Sequence, residues 1–374
     1  MRNNENSECG IIRIRVECTY FPIDENTNKD KISNPAVSEL SRLVVGRSPM
    51  LVSRTFILRR SGLAIAFLFP GQGAQYTGMG RELYESSPAA RAVFDTAEKI
   101  RPGTITQCFS GSDDELAKTE NTQPCLFCVD LAAAEALKEM GITADMLAGF
   151  SLGELASLSF SGAVAFEDGF RLVCKRAEMM QEAADAADAA MSAVLKLSDE
   201  TVVSLCAEFE HVYPVNFNCP GQVVVSGAKD ELDPFKARVI EEGGRAMPLK
   251  TGGGFHSPFM ASASIGFSEA LSTCKISRPE VPVYSNLTAG MYDGDFLDIL
   301  SKQISSPVLW DAEVRSMLSA GASVFVEVGP GKVLCSLVQR IANKAKVYNV
   351  EDAESLTNTI EGIRNLEFGI RNNS

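Results

Sequence analysis

From Ala64 onward, short apolar runs alternate with longer stretches whose apolar positions recur every three or four residues. That alternation predicts an α/β domain with a largely parallel sheet. Ile65–Phe69 reads as a first buried strand running into the turn Pro70-Gly71-Gln72-Gly73. Arg81–Ile100 has helical spacing, with Pro88 starting a second helix. Gln123–Met140 reads as a long helix, Pro124 in its first turn and Gly141 closing it. A strand is predicted over Met146–Phe150 and a helix from Leu152 to Phe160, with Ser151 between them. Phe166–Ala190 is helical again, and its Ala- and Asp-rich end, Glu182–Ala190, reads as compositional bias in a helix and a loop.

Between Met191 and Lys250 the order becomes strand, helix, strand, strand, helix, strand: Ala193–Leu197, Asp199–Glu210, Val212–Asn218, Gln222–Ser226, Lys229–Glu242 and Arg245–Leu249. This succession is the split βαβ, or ferredoxin-like, arrangement. Val283–Asn286 and Val324–Val328 then read as strands of the main sheet, and Val333–Ala345 as a closing helix. The predicted organisation is an α/β core over 63–187 and 252–350, a ferredoxin-like subdomain over 188–251, and a C-terminal helix or tail over 351–374. Residues 1–62 differ: Asn, Asp and Glu dominate, and then Arg42, Arg47, Arg54, Arg59 and Arg60 follow with no acid among them. They read as a disordered or non-native extension, a mis-assigned start or a cloning remnant. The Arg- and Ser-rich stretch after Met50 also has the composition of a mitochondrial targeting peptide. The expected location is the cytoplasm, with the mitochondrial matrix as the alternative.

Composition narrows the function. A hydrophobic share of 45% is ample for a packed core, and the formal net charge of −13 argues against nucleic acid as a partner. Apolar runs such as Leu63–Phe69 fall well short of the roughly 20 residues of a spanning helix, so no membrane association is expected. The ten cysteines show no disulfide spacing and fit a reducing compartment. Cys125 and Cys128 form a C-x-x-C pair inside an apolar helical pattern, with no second pair or nearby His, so no metal or redox cofactor is expected. The working unit is expected to be a monomer.

The chemistry centres on Gly149-Phe150-Ser151-Leu152-Gly153, a Gly-x-Ser-x-Gly pentapeptide between a predicted strand and a predicted helix. This is the context of a nucleophile elbow, whose tight turn lifts the hydroxyl to a helix N-terminus where backbone N–H groups can stabilise an oxyanion. A serine needs a base, and the chain offers two histidines. His211 reads as structural, at the end of a helix in the subdomain. His256 lies in the glycine-rich, Pro-bounded loop Gly252-Gly253-Gly254-Phe255-His256-Ser257-Pro258 at a subdomain junction, which suits a catalytic imidazole. Arg176 follows Arg171 and Lys175 on one helix; a guanidinium from there could clamp a substrate carboxylate, though spacing does not select among the three.

Six segments stand in order along the chain: Phe69-Pro70-Gly71-Gln72-Gly73-Ala74-Gln75, Gly149-Phe150-Ser151-Leu152-Gly153-Glu154, Val215-Asn216-Phe217-Asn218-Cys219-Pro220-Gly221-Gln222-Val223-Val224, Phe255-His256-Ser257-Pro258, Gln303-Ile304-Ser305-Ser306-Pro307-Val308 and Glu327-Val328-Gly329-Pro330-Gly331-Lys332. With them the chain resembles the malonyl-CoA:acyl carrier protein transacylase family over nearly everything from Ile65 to about Ala345. The resemblance implies a hydrolase-like α/β core carrying a ferredoxin-like insertion. It implies malonyl transfer from malonyl-CoA to acyl carrier protein through malonyl-Ser151, with no cofactor. His256 would be the base, held by the backbone carbonyl of Gln303; the N–H groups of Gln72 and Leu152 would hold the oxyanion, and Arg176 the malonyl carboxylate. Phe255 looks like the residue that accompanies malonyl rather than methylmalonyl use in related domains. One departure is Phe150, where the family commonly has His.

Three other readings stay open on sequence. A serine thioesterase or esterase would use the same elbow, but no convincing acid follows in triad order, and a cationic pocket residue has no purpose for a neutral ester. A polyketide acyltransferase would share every motif. A non-catalytic carrier-binding module would have no need for Ser151, His256 and Arg176 together.

Overall fold

The computed structural model describes residues 62–373, which hold two four-stranded sheets. The predicted extension, including the basic stretch after Met50, lies outside the described residues apart from Gly62. The first sheet is parallel, in the order β2 (Met146–Gly149), β1 (Ile65–Phe69), β7 (Val324–Val328), β8 (Lys346–Val350). Every residue of β1, β2 and β7 is buried, as strands covered by helices on both faces must be. The α/β class expected from the alternating pattern is the class observed.

The second sheet is antiparallel, in the order β4 (Val212–Cys219), β5 (Gln222–Ala228), β3 (Ala189–Leu195), β6 (Arg245–Gly252). This is the ferredoxin-like strand order. On β5, Val223 and Val225 face a core shared with Phe235 and Val239, while Val224 packs into the main core with Val215 and Met191. The period-two alternation of the strand thus docks one face on its own helices and the other on the main body.

Several elements differ from the sequence expectations. The long helix runs Thr119–Glu139, so Pro124 sits inside it rather than in its first turn. The carbonyl left without that bond belongs to Glu120, an exposed residue. The helix after Phe166 ends at Ala186, and Ala189 and Ala190 already pair in β3. The helix from Asp199 ends at Cys206, which leaves His211 in an exposed turn before β4 rather than at a helix end. Val283–Asn286 is not a full strand: Val283 makes one parallel bridge to Leu147, after which the chain turns through Ala289 at φ 53°. Tyr284 bridges Met291 instead, and Gly149 O is met by the Asn286 side chain rather than by a backbone partner. The closing helix ends at Ile341, and β8 follows it unanticipated.

Candidate active site

The site is built at the C-terminal ends of β1 and β2. Phe69 pairs with Gly149, and Phe150 N–H donates to Phe69 O at 2.9 Å, so both chains turn away at one level. A Cβ on Gly149 would lie 1.9 Å from the Gly153 carbonyl carbon, and one on Gly153 would lie 2.0 Å from Phe69 O. No side chain fits there, which is why glycines flank the serine on both sides. Ser151 is left with φ 53°, an uncommon conformation for a residue with a side chain, immediately before the helix Leu152–Phe160. Gly71 closes against the same turn, since a Cβ on it would meet Phe150 O at 2.4 Å. The loop carrying Gln72 is thereby held beside the elbow, with the Gln72 side-chain amide donating to Thr119 Oγ1 at 3.3 Å.

His256 is delivered by the second sheet. β6 leads through Gly253, at φ 90°, to His256, which itself adopts φ 62°. The imidazole is buried, and its Nε2 lies 2.7 Å from Ser151 Oγ. On its other side Nδ1 faces Gln303 O at 2.9 Å and Ser306 O at 3.2 Å, so the Nδ1 proton donates to carbonyls and Nε2 keeps its lone pair toward the serine. That carbonyl-bearing segment is pinned to β4: Val308 N–H donates to Val215 O and Phe217 N–H to Val308 O, each at 2.9 Å. The antiparallel sheet therefore fixes the imidazole at one edge and its carbonyl partners at the other. Burial, reinforced by the nearby Arg176 charge, pushes the His256 pKa down to about 4, so the ring is neutral near pH 7.

Arg176 is 1% exposed, whereas the side chains of Arg171 and Lys175 are each 58% exposed and pair with Asp168 and Glu178. Of the three cations on that helix, Arg176 alone reaches the site. Its Nη2 lies 3.2 Å from Ser151 Oγ and donates to Gln303 Oε1 at 3.0 Å; its Nη1 donates to Gln123 Oε1 at 2.8 Å. Burial lowers its pKa to about 10, against the opposing pull of Glu154, and the guanidinium stays charged at neutral pH.

Residues 66–371 match the acyl transferase domain family. Malonyl CoA-acyl carrier protein transacylase of Bacillus subtilis (strain 168) is 39% identical over 308 residues, which cover 80% of this chain and 97% of that protein. The chain belongs to the malonyl CoA-acyl carrier protein transacylase family. A crystal structure of such a transacylase from Clostridium perfringens superposes with a TM-score of 0.79 at 34% identity, covering 82% of this chain and 98% of that one. A malonyl-transacylase solved in complex with a type II PKS acyl-carrier protein matches at 31% identity and TM-score 0.77, covering 80% and 99%. The shared fold is the α/β core with its inserted ferredoxin-like subdomain.

Within this family fold, Ser151, His256, Arg176 and Gln303 converge, and Leu152 is the first residue of the helix behind the serine. Phe255 is buried in the main core beside His256, and Phe150 packs edge-on against Trp310 with ring centroids 5.5 Å apart. His211 does not approach the site; it is exposed near Glu210. Cys125 and Cys128 face the core of the long helix, where burial raises the Cys128 thiol pKa well above its ordinary value.

Sequence reasoning missed the layer beneath these residues. Asn286 accepts Ser151 N–H on Oδ1 at 2.7 Å and donates from Nδ2 to Gly149 O and Glu313 Oε2. The Gln303 side chain donates to Ser151 O at 2.7 Å and to Glu154 Oε2 at 2.6 Å. Gln123, Glu154, Asn286 and Glu313 are all buried polar residues; only Glu154 and Glu313, beside the apolar Leu155 and Val314 on their helices, carry a signal in the sequence.

Proposed function

We propose that the protein transfers malonyl from malonyl-CoA to the phosphopantetheine thiol of an acyl carrier protein through a malonyl-Ser151 ester. The transfer supplies fatty acid chain elongation; the polyketide alternative is not favoured. The observation that carries this reading is a buried guanidinium beside a serine hydroxyl already in contact with an imidazole. A malonyl ester carries its free carboxylate two carbons from the carbonyl, within reach of that guanidinium.

Ser151 Oγ adds to the thioester carbonyl while His256 Nε2 accepts its proton, giving a tetrahedral oxyanion whose collapse re-forms the C=O bond and breaks the C–S bond. The proton then passes from Nε2 to the departing thiolate, and the carrier thiol runs the same steps in reverse. During transfer the imidazolium is held by the carbonyls of Gln303 and Ser306 through Nδ1, a dyad without a carboxylate. The backbone N–H groups of Leu152 and Gln72 hold the oxyanion; Leu152 heads a helix whose first N–H groups have no intrahelical partner. Phe150 and Phe255, each next in sequence to a reacting residue, add apolar bulk around the dyad that helps keep water from the ester. No cofactor is required, and we take the working unit to be a monomer. Among the described residues no helix is long and apolar enough to cross a membrane. We place the reaction in the cytoplasm, where the free cysteines would stay reduced.

The test is Arg176→Ala. Losing charge-assisted hydrogen bonds to the malonyl carboxylate should slow acylation by malonyl-CoA on the order of a hundredfold, while acylation by acetyl-CoA is kept or rises. Equal losses on both substrates would show that Arg176 only supports the fold. Steady release of free malonate without a carrier would favour a thioesterase instead.

A further inference from the structure

One ionisable group in this site has no part in the reaction above. Glu154 is fully buried one turn along the helix from Ser151. Its Oε1 accepts the Tyr292 hydroxyl at 2.5 Å and its Oε2 accepts Gln303 Nε2 at 2.6 Å. Gln303 turns the other end of the same amide to Arg176, whose Nη2 donates to Oε1 at 3.0 Å. Among the described residues no carboxylate touches Arg176 directly, and Glu154 is the anion that acts on its charge. The arrangement is a relayed ion pair, guanidinium to amide to carboxylate.

We propose that Glu154 is the counter-charge of Arg176 in the empty site, and that it takes up a proton from solvent when the malonyl carboxylate takes over that pairing. The inference rests on Arg176 being the malonyl clamp. Before acylation the cavity holds one cation and one anion. Bringing in a second anion beside a single buried cation is costly in so dry a site, and protonating Glu154 restores the balance. Burial already pushes Glu154 up to about 7, so a further negative charge nearby carries it above neutral pH. Once protonated, the carboxyl can donate to Tyr292, whose own hydroxyl turns to Ser285, so no buried group is orphaned.

The groups facing Glu154 can be named from each packed element. They are Arg176, Gln303, Tyr292, Ser285, the Asn286 backbone and, more distantly, Glu313. Glu313 is the rival proton acceptor. Its burial and the Glu154 charge hold its pKa well above the usual carboxylate range, but its Oε2 accepts from Asn286 Nδ2 and it has no hydrogen bond to Arg176 or Gln303, so it stands outside the guanidinium–amide–carboxylate relay.

Proton uptake should be measured by calorimetry in two buffers of different ionisation enthalpy, with acyl-enzyme counted by intact mass. Malonyl-CoA and acetyl-CoA release the same thiol, so their difference isolates the protein's own protons. At about pH 8, malonylation should take up about one proton more per acyl-enzyme than acetylation, a difference that fades toward about pH 6, where Glu154 is already protonated. It should be lost in Glu154→Gln and kept in Glu313→Gln. Malonyl-Ser151 forming with the same proton balance as acetyl-Ser151 in the wild type would overturn this proposal alone, as would a difference that survives Glu154→Gln or disappears in Glu313→Gln. No malonyl-Ser151 at all would overturn the transferase reading and this proposal with it.

Discussion

The two sheets place their ionisable side chains in opposite ways. At the ends of the parallel strands, Glu154, Arg176, His256 and Glu313 are buried and interlocked through Gln303 and Asn286. Around the antiparallel sheet the charges stay in water: Arg238 meets Glu208, Glu241 and Glu242, and Lys229 meets Asp188, all partly or largely exposed. Exposed pairs contribute about 0–1 kcal/mol, whereas stripping one partner from a buried network leaves a desolvated charge at a cost of about 3–5 kcal/mol. One half of the molecule holds charge where charge is to be handled. The other serves as a frame that brings His256 and its carbonyl partners to the serine.

Substitutions on either side sharpen that contrast. His256→Ala should lower acylation by either acyl-CoA by about 10²–10⁴-fold, because the serine loses its base, while thermal unfolding shows that the fold survives. A fall of less than tenfold would mean that Ser151 is activated by another group. The pH profile is a subtler probe. Since burial depresses the His256 pKa and the neutral ring is the base, the rate of acylation by acetyl-CoA should stay on its plateau as pH drops through the ordinary imidazole range near 6.5 and fall only toward about 4. The same depression means that stability on this account is complete above about 6.5 and is lost as pH falls toward the folded-state value. An acid limb near 6.5 would show a solvated, ordinary histidine. Arg238→Ala in the frame should leave the denaturation midpoint nearly unchanged and both acyl transfers unaffected, as read by chemical denaturation and acylation rate.

What was legible in the sequence follows the same division. The elbow can be read because glycine at 149 and 153 is a backbone requirement visible in one dimension, and the six-element order of the inserted subdomain because short apolar strands such as Val223–Val225 stand apart from the polar helical stretches between them. Arg176 could not be separated from Arg171 and Lys175 by spacing, since burial is decided by what packs against the helix. Gln303 was anticipated only for its carbonyl, and its side chain bridges two ionisable groups from distant segments, a role no local pattern encodes. Pro124 reads as a helix start because proline is tolerated in a first turn, yet the helix begins at Thr119 and carries Pro124 inside it. β8 carries Lys346, Tyr348 and Asn349 on a mostly half-buried edge, so it lacks the apolar run that marked β1 and β7.

The most direct test is the intact mass of the protein after mixing with malonyl-CoA and then with acyl carrier protein, for wild type and Ser151→Ala. The wild type should gain one malonyl group and lose it to the carrier, and Ser151→Ala should gain none. A malonyl adduct on Ser151→Ala, or one on the wild type that the carrier never removes, would contradict the assignment of Ser151 as the point through which the acyl group passes.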